Sequence, residues 1–374
     1  MAPKILDKDK TPYVFLGRCG LKVSNLCLGT MTFGTSMFLK STQCNEELSH
    51  KILNRFSEWG GNFIDTADAY GPNDCEEIIG RWLEAQPRDQ FVIGTKCRYD
   101  MGVDRNINNV GLSRRHITAS IEGSLRRLHT DYVDLYQTHL FDEATPLEET
   151  LRTLDDLVRA GKIRYIGASN LSGWQLQKMV STCEHLGLNP VVSLQQQYNL
   201  LSRWSELEAF QVCKSAGIGV LPWSPLKGGL LAGKVKRGVK PTEGRMGWAA
   251  SDTPVQPEVC PPWTTLDDTI FNILETAETI AKKHRRSMGQ VAIRWLLQKD
   301  VVTSVVIGAT TLAQLDDNMA AATGWSLTKD EMKQLDEVSS SPMFYPYNML
   351  AQGNGDRVNR LAGECRVLSL AGSS

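Results

Sequence analysis

The sequence predicts an α/β fold, a single (β/α)8 TIM barrel, from three observations. Eight short β-branched or apolar runs recur along the 374 residues, amphipathic segments alternate with them, and no stretch has the character of a second domain. The runs are Leu26 to Gly29, Asn62 to Asp65, Phe91 to Thr95, Tyr132 to Tyr136, Ile163 to Gly167, Val191 to Gln195, Ile218 to Pro222 and Val302 to Ile307. Strands that each feed a helix pair in parallel, and eight of them fit closure better than an open doubly wound sheet.

Between the runs, apolar residues return every three or four positions. The sets are Leu48/Ile52/Phe56, Ile117/Ile121/Leu125/Leu128, Leu151/Leu154/Val158, Leu176/Met179/Val180/Cys183 and Ile270/Ile273/Leu274/Ala277. Each puts one apolar stripe against a sheet. Ahead of the first barrel strand, Tyr13 to Leu16 and Lys22 to Ser24 flank Arg18-Cys19-Gly20 and predict a short hairpin that plugs the barrel's bottom. The barrel is expected to span residues 13–338, with tails at 1–12 and 339–374. Two long interruptions, Arg98 to Leu112 and Arg237 to Asp267, follow strand ends, where barrel enzymes shape their sites.

Composition narrows the function. With 41 basic and 42 acidic residues, the chain has no global field for nucleic acid or an anionic membrane, which leaves a small molecule as the expected ligand. The 9 cysteines show no C-x-x-C pair, giving no support to a zinc site or a disulfide framework. Met1 to Lys10 lacks an apolar signal core, and no apolar run approaches the roughly 20 residues of a membrane span, so no membrane insertion and a cytoplasmic location are expected.

Polar residues gather where the runs stop. Asp65 closes Asn62-Phe63-Ile64-Asp65, and Tyr70 follows five residues later in Asp65-Thr66-Ala67-Asp68-Ala69-Tyr70. Lys96 closes the Phe91 run and His139 the Tyr132 run. Strand ends converge on one rim of a barrel, which brings these residues within reach of one another. Taken alone, each has an ordinary explanation as a helix cap, a loop aromatic, a solvated strand end or a satisfied histidine. Together they read as a proton-delivery unit. A free phenol, with a pKa of about 10, is a poor acid near neutrality unless a neighbouring charge stabilises its phenolate. Lys96 supplies that charge, Asp65 holds Lys96, and His139 reaches the phenol or the substrate oxygen.

With those residues in place, the sequence resembles the aldo-keto reductases. The resemblance runs from about Val14 to Leu335, through Gly61 to Gly71, Leu112 to His139, Gly161 to Asn170 and Val306 to Asn318. It implies NADPH-dependent reduction of an aldehyde or ketone, with Asp65, Tyr70, Lys96 and His139 as the catalytic tetrad and Tyr70 as the acid. The similarity is strongest to the branches holding aryl-alcohol dehydrogenases, pyridoxal reductases and potassium-channel β subunits. That last likeness keeps open a different role, a cofactor-binding regulatory subunit with slow catalysis.

No G-x-G-x-x-G follows any run, so a Rossmann site is not expected. Gly228-Gly229-Leu230-Leu231-Ala232-Gly233-Lys234 imitates a P-loop, but Val235 stands where Ser or Thr must hold magnesium. The resemblance implies that Ser169, Asn170 and Gln195 hold the carboxamide and that Trp223 stacks on the nicotinamide. It further implies that Ser224, Leu226, Gly228 and Lys234 line the pyrophosphate and that Gly308, Thr310, Gln314 and Asn318 surround the adenosine ribose and its 2′-phosphate. Core packing is the plainer reading of Trp223, but Pro222 and Pro225 beside it mark a strand end that faces a site. Many family members have Lys and Arg where this chain has Gly308 and Gln314, which weakens the case for NADPH over NADH. Tyr99, Met101, Phe141, Trp223 and Trp248, with Phe344, Tyr345 and Tyr347 in the tail, suggest an aromatic or bulky carbonyl substrate, although they read equally as ordinary surface and core aromatics.

Overall fold

The computed structural model describes residues 11–34, 44–71, 74–100, 106–239 and 266–353. Met101, Trp248 and most of the 237–267 interruption lie outside these, as does the tail beyond residue 353.

Among the described residues, ten strands form two sheets. β1 (Tyr13–Phe15) and β2 (Lys22–Ser24) make an antiparallel hairpin. The other eight are β3 (Leu26–Gly29), β4 (Phe63–Asp65), β5 (Val92–Cys97), β6 (Val133–Thr138), β7 (Ile163–Ser169), β8 (Val191–Gln197), β9 (Gly219–Trp223) and β10 (Val305–Ile307). They pair in parallel in the order β10-β3-β4-β5-β6-β7-β8-β9. A bridge between Val220 and Val302 draws β9 toward β10, with the Thr303 amide donating to the Val220 carbonyl at 2.9 Å, and nearly closes the barrel. The sequence-predicted (β/α)8 TIM barrel is therefore the observed fold.

Boundaries differ in a consistent direction. β5 to β8 each run two residues past the predicted end, because the ladder continues through polar residues such as Lys96 opposite Gln137 and Gln197 opposite Trp223. Apolar patterning stops where the strands enter the site, but their backbone pairing does not. At the other end, β10 is shorter than its apolar run, since Val302 pairs only through the isolated bridge.

The connecting helices bury the predicted stripes. In α1 (Glu46–Glu58) the inward residues are Ile52, Leu53 and Phe56, and Asn45 caps the helix by accepting from the Leu48 amide at 3.0 Å. α2 (Asp74–Leu83) buries Ile78, Ile79 and Trp82, while α3 (Arg114–Arg127) buries Ile117, Ile121 and Leu125. In α4 (Leu147–Arg159) the third contact is Leu157, and the expected Val158 sits at the margin. α5 (Gly173–Leu186) buries Leu176, Met179 and Cys183, and Ser172 with Gln175 forms a capping box at its start. The remaining helices are α6 (Ala209–Ala216), α7 (Asp268–His284), α8 (Met288–Leu297), α9 (Leu312–Met319), α10 (Lys329–Val338) and α11 (Tyr347–Gly353).

The hairpin does plug the bottom of the barrel. Leu16 and Val23 pack into an interior apolar layer with Cys27, Phe63, Leu135 and Leu221. Gly17 makes the close approach possible: its φ is +57°, and a Cβ there would lie 2.6 Å from the Gly217 carbonyl and the Gly219 amide. With the lower mouth filled, a ligand has access from the C-terminal ends of the strands. Part of the tail rests near that end, where Phe344 packs on Trp204 and the Tyr347 hydroxyl donates to Glu208 at 2.7 Å.

Candidate active site

The four sequence-predicted residues meet at the C-terminal mouth. Lys96 is fully buried, and its Nζ donates to Asp65 Oδ2 at 2.6 Å, to the Thr66 carbonyl at 2.8 Å and to Tyr70 Oη at 3.3 Å. Those three bonds use all three ammonium protons. The other oxygen of Asp65 accepts from the amides of Gln137 and Gln195, each at 2.9 Å. Gly167 makes room for Gln137, since a Cβ there would stand 2.8 Å from Gln137 Cγ and 2.6 Å from Ser193 Oγ. The carboxylate of Asp65 is thus held on both oxygens, and so it holds the ammonium in turn.

His139 stands edge-on to Tyr70 with ring centroids 5.8 Å apart, and Tyr99 packs edge-on against its other side at 4.8 Å. Its backbone amide donates to the Cys97 carbonyl and its Nδ1 is buried without a partner. Burial, helped by the Lys96 charge, pushes its pKa well below the usual imidazole value, so the ring is neutral at pH 7. For Lys96, burial acts to lower the pKa, but Asp65 and then Tyr70 outweigh it and keep the ammonium above its ordinary value.

The Lys96 charge lowers the Tyr70 pKa, as the sequence reading has it, but burial raises it by more, so the net shift is upward. The phenol therefore stays protonated at neutral pH, with an ammonium already in place to receive the phenolate when the proton leaves.

Behind the Tyr70 loop lies a second polar cluster. Asp68 is 1% exposed, accepts from Ser120 Oγ at 2.7 Å on one oxygen and leaves the other unpartnered. Burial, then the nearby Glu76, pushes its carboxyl up to about 7. Glu76 is itself buried and accepts from Arg127 and Thr95.

The residues proposed for a dinucleotide surround the same mouth. Asn170, at φ +56°, donates to the His139 carbonyl and to Ser169 Oγ and accepts from Trp223 Nε1, each at 3.0 Å, so it ties the ends of β6, β7 and β9 together. Ser224 and Lys227 also take positive φ, at 55° and 45°. Such conformations cost free energy and collect at ligand sites. Leu226 precedes a turn in which Gly228 and Gly229 are both left-handed, and a Cβ on Gly229 would meet nothing within 4 Å. The P-loop imitation does not build a strand, loop and helix: Gly228 and Gly229 break residues 227–232 into short turns, Lys234 is exposed and Val235 is buried.

Around β10 and α9, Gln314 Oε1 accepts from both the amide and the hydroxyl of Thr310 at 2.9 Å, and Asn318 donates to the Gly308 carbonyl at 3.1 Å. Gln195 engages Asp65 instead of standing free, which adds a duty that its sequence position did not suggest. Of the suggested substrate aromatics, Tyr99 lies beside His139, and Phe141 packs against Trp174. Phe344 and Tyr345 are exposed on the tail.

Sequence reasoning missed Gln137, Trp174, Arg98 and the Asp68 cluster. Strand alternation could have found two of these. Gln137 lies two residues before His139 and Arg98 two after Lys96, so each shares an inward face with a residue already singled out.

Comparison with known proteins identifies the family. The aldo/keto reductase family model matches residues 25–340. The chain belongs to the aldo-keto reductases. It is 35% identical to the uncharacterized oxidoreductase YrpG of Bacillus subtilis over 88% of this chain and 96% of the relative. It is 34% identical to the versiconal hemiacetal acetate reductase of Aspergillus parasiticus, covering 87% of this chain and 96% of that one. Identity to the L-glyceraldehyde 3-phosphate reductase of Escherichia coli is also 34%, over 87% and 91%. As an aldo-keto reductase, the protein is an NAD(P)H-dependent oxidoreductase of small carbonyl compounds. Among the described residues, no helix is long and apolar enough to cross a membrane.

Proposed function

We propose that this aldo-keto reductase reduces aldehydes or ketones with NADPH, and that Tyr70 delivers the proton. The observation that carries the reading is the buried Lys96 ammonium, bonded at once to Asp65 and to the Tyr70 hydroxyl. When bound, the dinucleotide supplies hydride to the carbonyl carbon. The residues around the mouth fit it: an open left-handed glycine turn, the exposed Lys234 and the Trp223 indole tied to Asn170. Ser169, Asn170 and Gln195 would hold its carboxamide, and Ser224, Leu226, Gly228 and Lys234 its pyrophosphate. Thr310, Gln314 and Asn318 beside Gly308 offer neutral donors to a 2′-phosphate, which favours NADPH over NADH despite the missing cations.

Neutral His139 orients the substrate oxygen toward Tyr70 Oη, and the phenol protonates that oxygen as negative charge develops on it. Lys96 then stabilises the phenolate across 3.3 Å, while Asp65 and its two amides keep the ammonium from moving. Tyr99 and Phe141 favour an aromatic or bulky carbonyl. The reaction belongs to the cytoplasm on this reading.

Tyr70→Phe tests the assignment. It should abolish steady-state carbonyl reduction while NADPH affinity, followed by tryptophan fluorescence, stays close to wild type. Full activity in this variant would refute the role given to the phenol.

A further inference from the structure

Arg98 follows β5 directly, two residues beyond Lys96. Residues two apart on a strand leave it on the same side, about 7 Å apart, so Lys96 points into the mouth and Arg98 stands at its rim. Its φ is +155°, a conformation that residues other than glycine rarely adopt. Its carbonyl is held by the Gly111 amide at 2.8 Å. The side chain folds over Tyr99, with the guanidinium carbon 5.6 Å from the ring, and the edge of Tyr99 packs against His139. The guanidinium is therefore one ring removed from the imidazole that faces Tyr70.

Its charge has no directly bonded counterion among the described residues. Arg98 Nε is sealed from solvent and has no hydrogen-bond partner, and Arg98 makes no ion pair among the described residues. Arg88, Arg127 and Arg203 are paired, with Asp134, Glu76 and Glu206, whereas Arg294, on α8 and away from the mouth, resembles Arg98 in having no ion pair among the described residues. Asp142 feels the Arg98 charge but is already occupied, accepting from the Leu112 and Ala144 amides and from Thr145 Oγ1 at 2.7, 3.1 and 2.6 Å. The contact with Tyr99 is not a hydrogen bond, and among the described residues the guanidinium donates to none. Lys96 cannot serve an incoming anion either, since its three protons are committed. A forked donor at the edge of an apolar mouth is suited to a planar carboxylate or a phosphate.

The geometry points to Arg98 as the specificity-determining residue, which selects carbonyl substrates carrying an anionic group, carboxylate or phosphate, a few bonds from the reacting carbon. This rests on the reductase reading of the same site. The anion takes the Arg98 fork while the carbonyl lies against His139 and Tyr70, and the Tyr99 ring fills the space between.

Matched aldehyde pairs test it on the full chain with NADPH: succinic semialdehyde against butanal, 4-carboxybenzaldehyde against 4-methylbenzaldehyde, and glycolaldehyde phosphate against glycolaldehyde. In wild type the charged member of at least one pair should have the higher kcat/KM by roughly 10- to 100-fold, as expected for a charge-assisted hydrogen bond, and the pair showing it distinguishes carboxylate from phosphate. Arg98→Gln should remove that preference chiefly through KM, Arg98→Lys should keep part of it, and the neutral aldehydes should change less than about threefold. Equal efficiency for charged and neutral members in wild type would overturn the inference, as would an Arg98→Gln variant that loses both alike. Should no aldehyde be turned over, the reductase reading falls, and binding of succinate to the NADP+-loaded protein decides the role of Arg98 separately. Retention by wild type with loss in Arg98→Gln supports it, and equal binding by both refutes it.

Discussion

Asp68→Asn removes a buried carboxyl while keeping its shape, and the consequence for stability can be worked from the structure. Burial, with Glu76 adding to it, raises the folded-state pKa from 3.8 to about 7, against the opposing effects of Ser120 and Arg127. Between those values the folded protein holds a proton that the unfolded chain has released, so stability falls as pH rises through this window. A displacement of that size corresponds to about 4 kcal/mol, of which roughly half accrues between pH 5 and pH 7. Asparagine cannot ionise, yet its side-chain oxygen can still accept from Ser120. The variant should therefore gain on wild type as pH rises, levelling off above the pKa of Asp68. Denaturant unfolding of both proteins at pH 5, 6, 7 and 8 measures this gain, and contributions from other titrating groups cancel in the difference. A constant difference between the two proteins across that range would refute the argument. It would mean that Asp68 is ionised and well solvated in the folded state.

Three further outcomes are expected. Trp223→Ala should weaken NADPH binding by roughly 1 kcal/mol or more through loss of an aromatic face, without a comparable fall in the unfolding midpoint; collapse of stability with unchanged affinity would make Trp223 a packing residue. Gly167→Ala should destabilise the barrel by about 1–3 kcal/mol, because its Cβ has Ser193 and Gln137 within contact distance, and thermal unfolding checks it. Since His139 is neutral well below its usual pKa, kcat for carbonyl reduction should show no break from this imidazole between pH 6 and pH 8, and a break that His139→Gln abolishes would contradict the assignment.

The fold was legible because its signals are repeated. Eight apolar runs with helical stripes between them specify parallel strands and their order, and a polar residue ending such a run marks the rim, which is how Asp65, Lys96 and His139 stood out. Gln137 was not legible in the same way. It is a polar residue inside a strand, where alternation with His139 places it on the inward face, and its bond to Asp65 shows what it does there. Glu76 and Arg127 were hidden for a different reason. On α2 and α3 they read as charges on solvated helix faces, whereas the two helices turn them toward each other, with Glu76 buried and Arg127 only partly exposed. Patterning reports which residue types alternate, but a buried ion pair depends on two helices meeting, which is information at the level of packing.

The same limit explains why the net shift of Tyr70 was not legible in the sequence. From sequence, an ammonium beside a phenol suggests a lowered pKa, since opposite charge favours the phenolate. Burial acts on the same group with the opposite sign and is the larger effect here. The two are compatible with the proposed role because burial disfavours the phenolate and the Lys96 charge offsets part of that cost. Before reaction, burial keeps the proton on the phenol, and the neutral imidazole brings no competing acid. When the proton leaves, the phenolate appears 3.3 Å from an ammonium that Asp65 already fixes, so no group has to move to receive the charge. Lys96 thus acts by stabilising the phenolate, which makes the proton easier to lose than burial alone would allow. On this account Lys96→Met should lower kcat far more than NADPH affinity, and single-turnover reduction of a reactive aldehyde should slow in step with kcat. A variant that binds NADPH poorly but reduces the aldehyde at the wild-type rate once loaded would place Lys96 in cofactor binding instead.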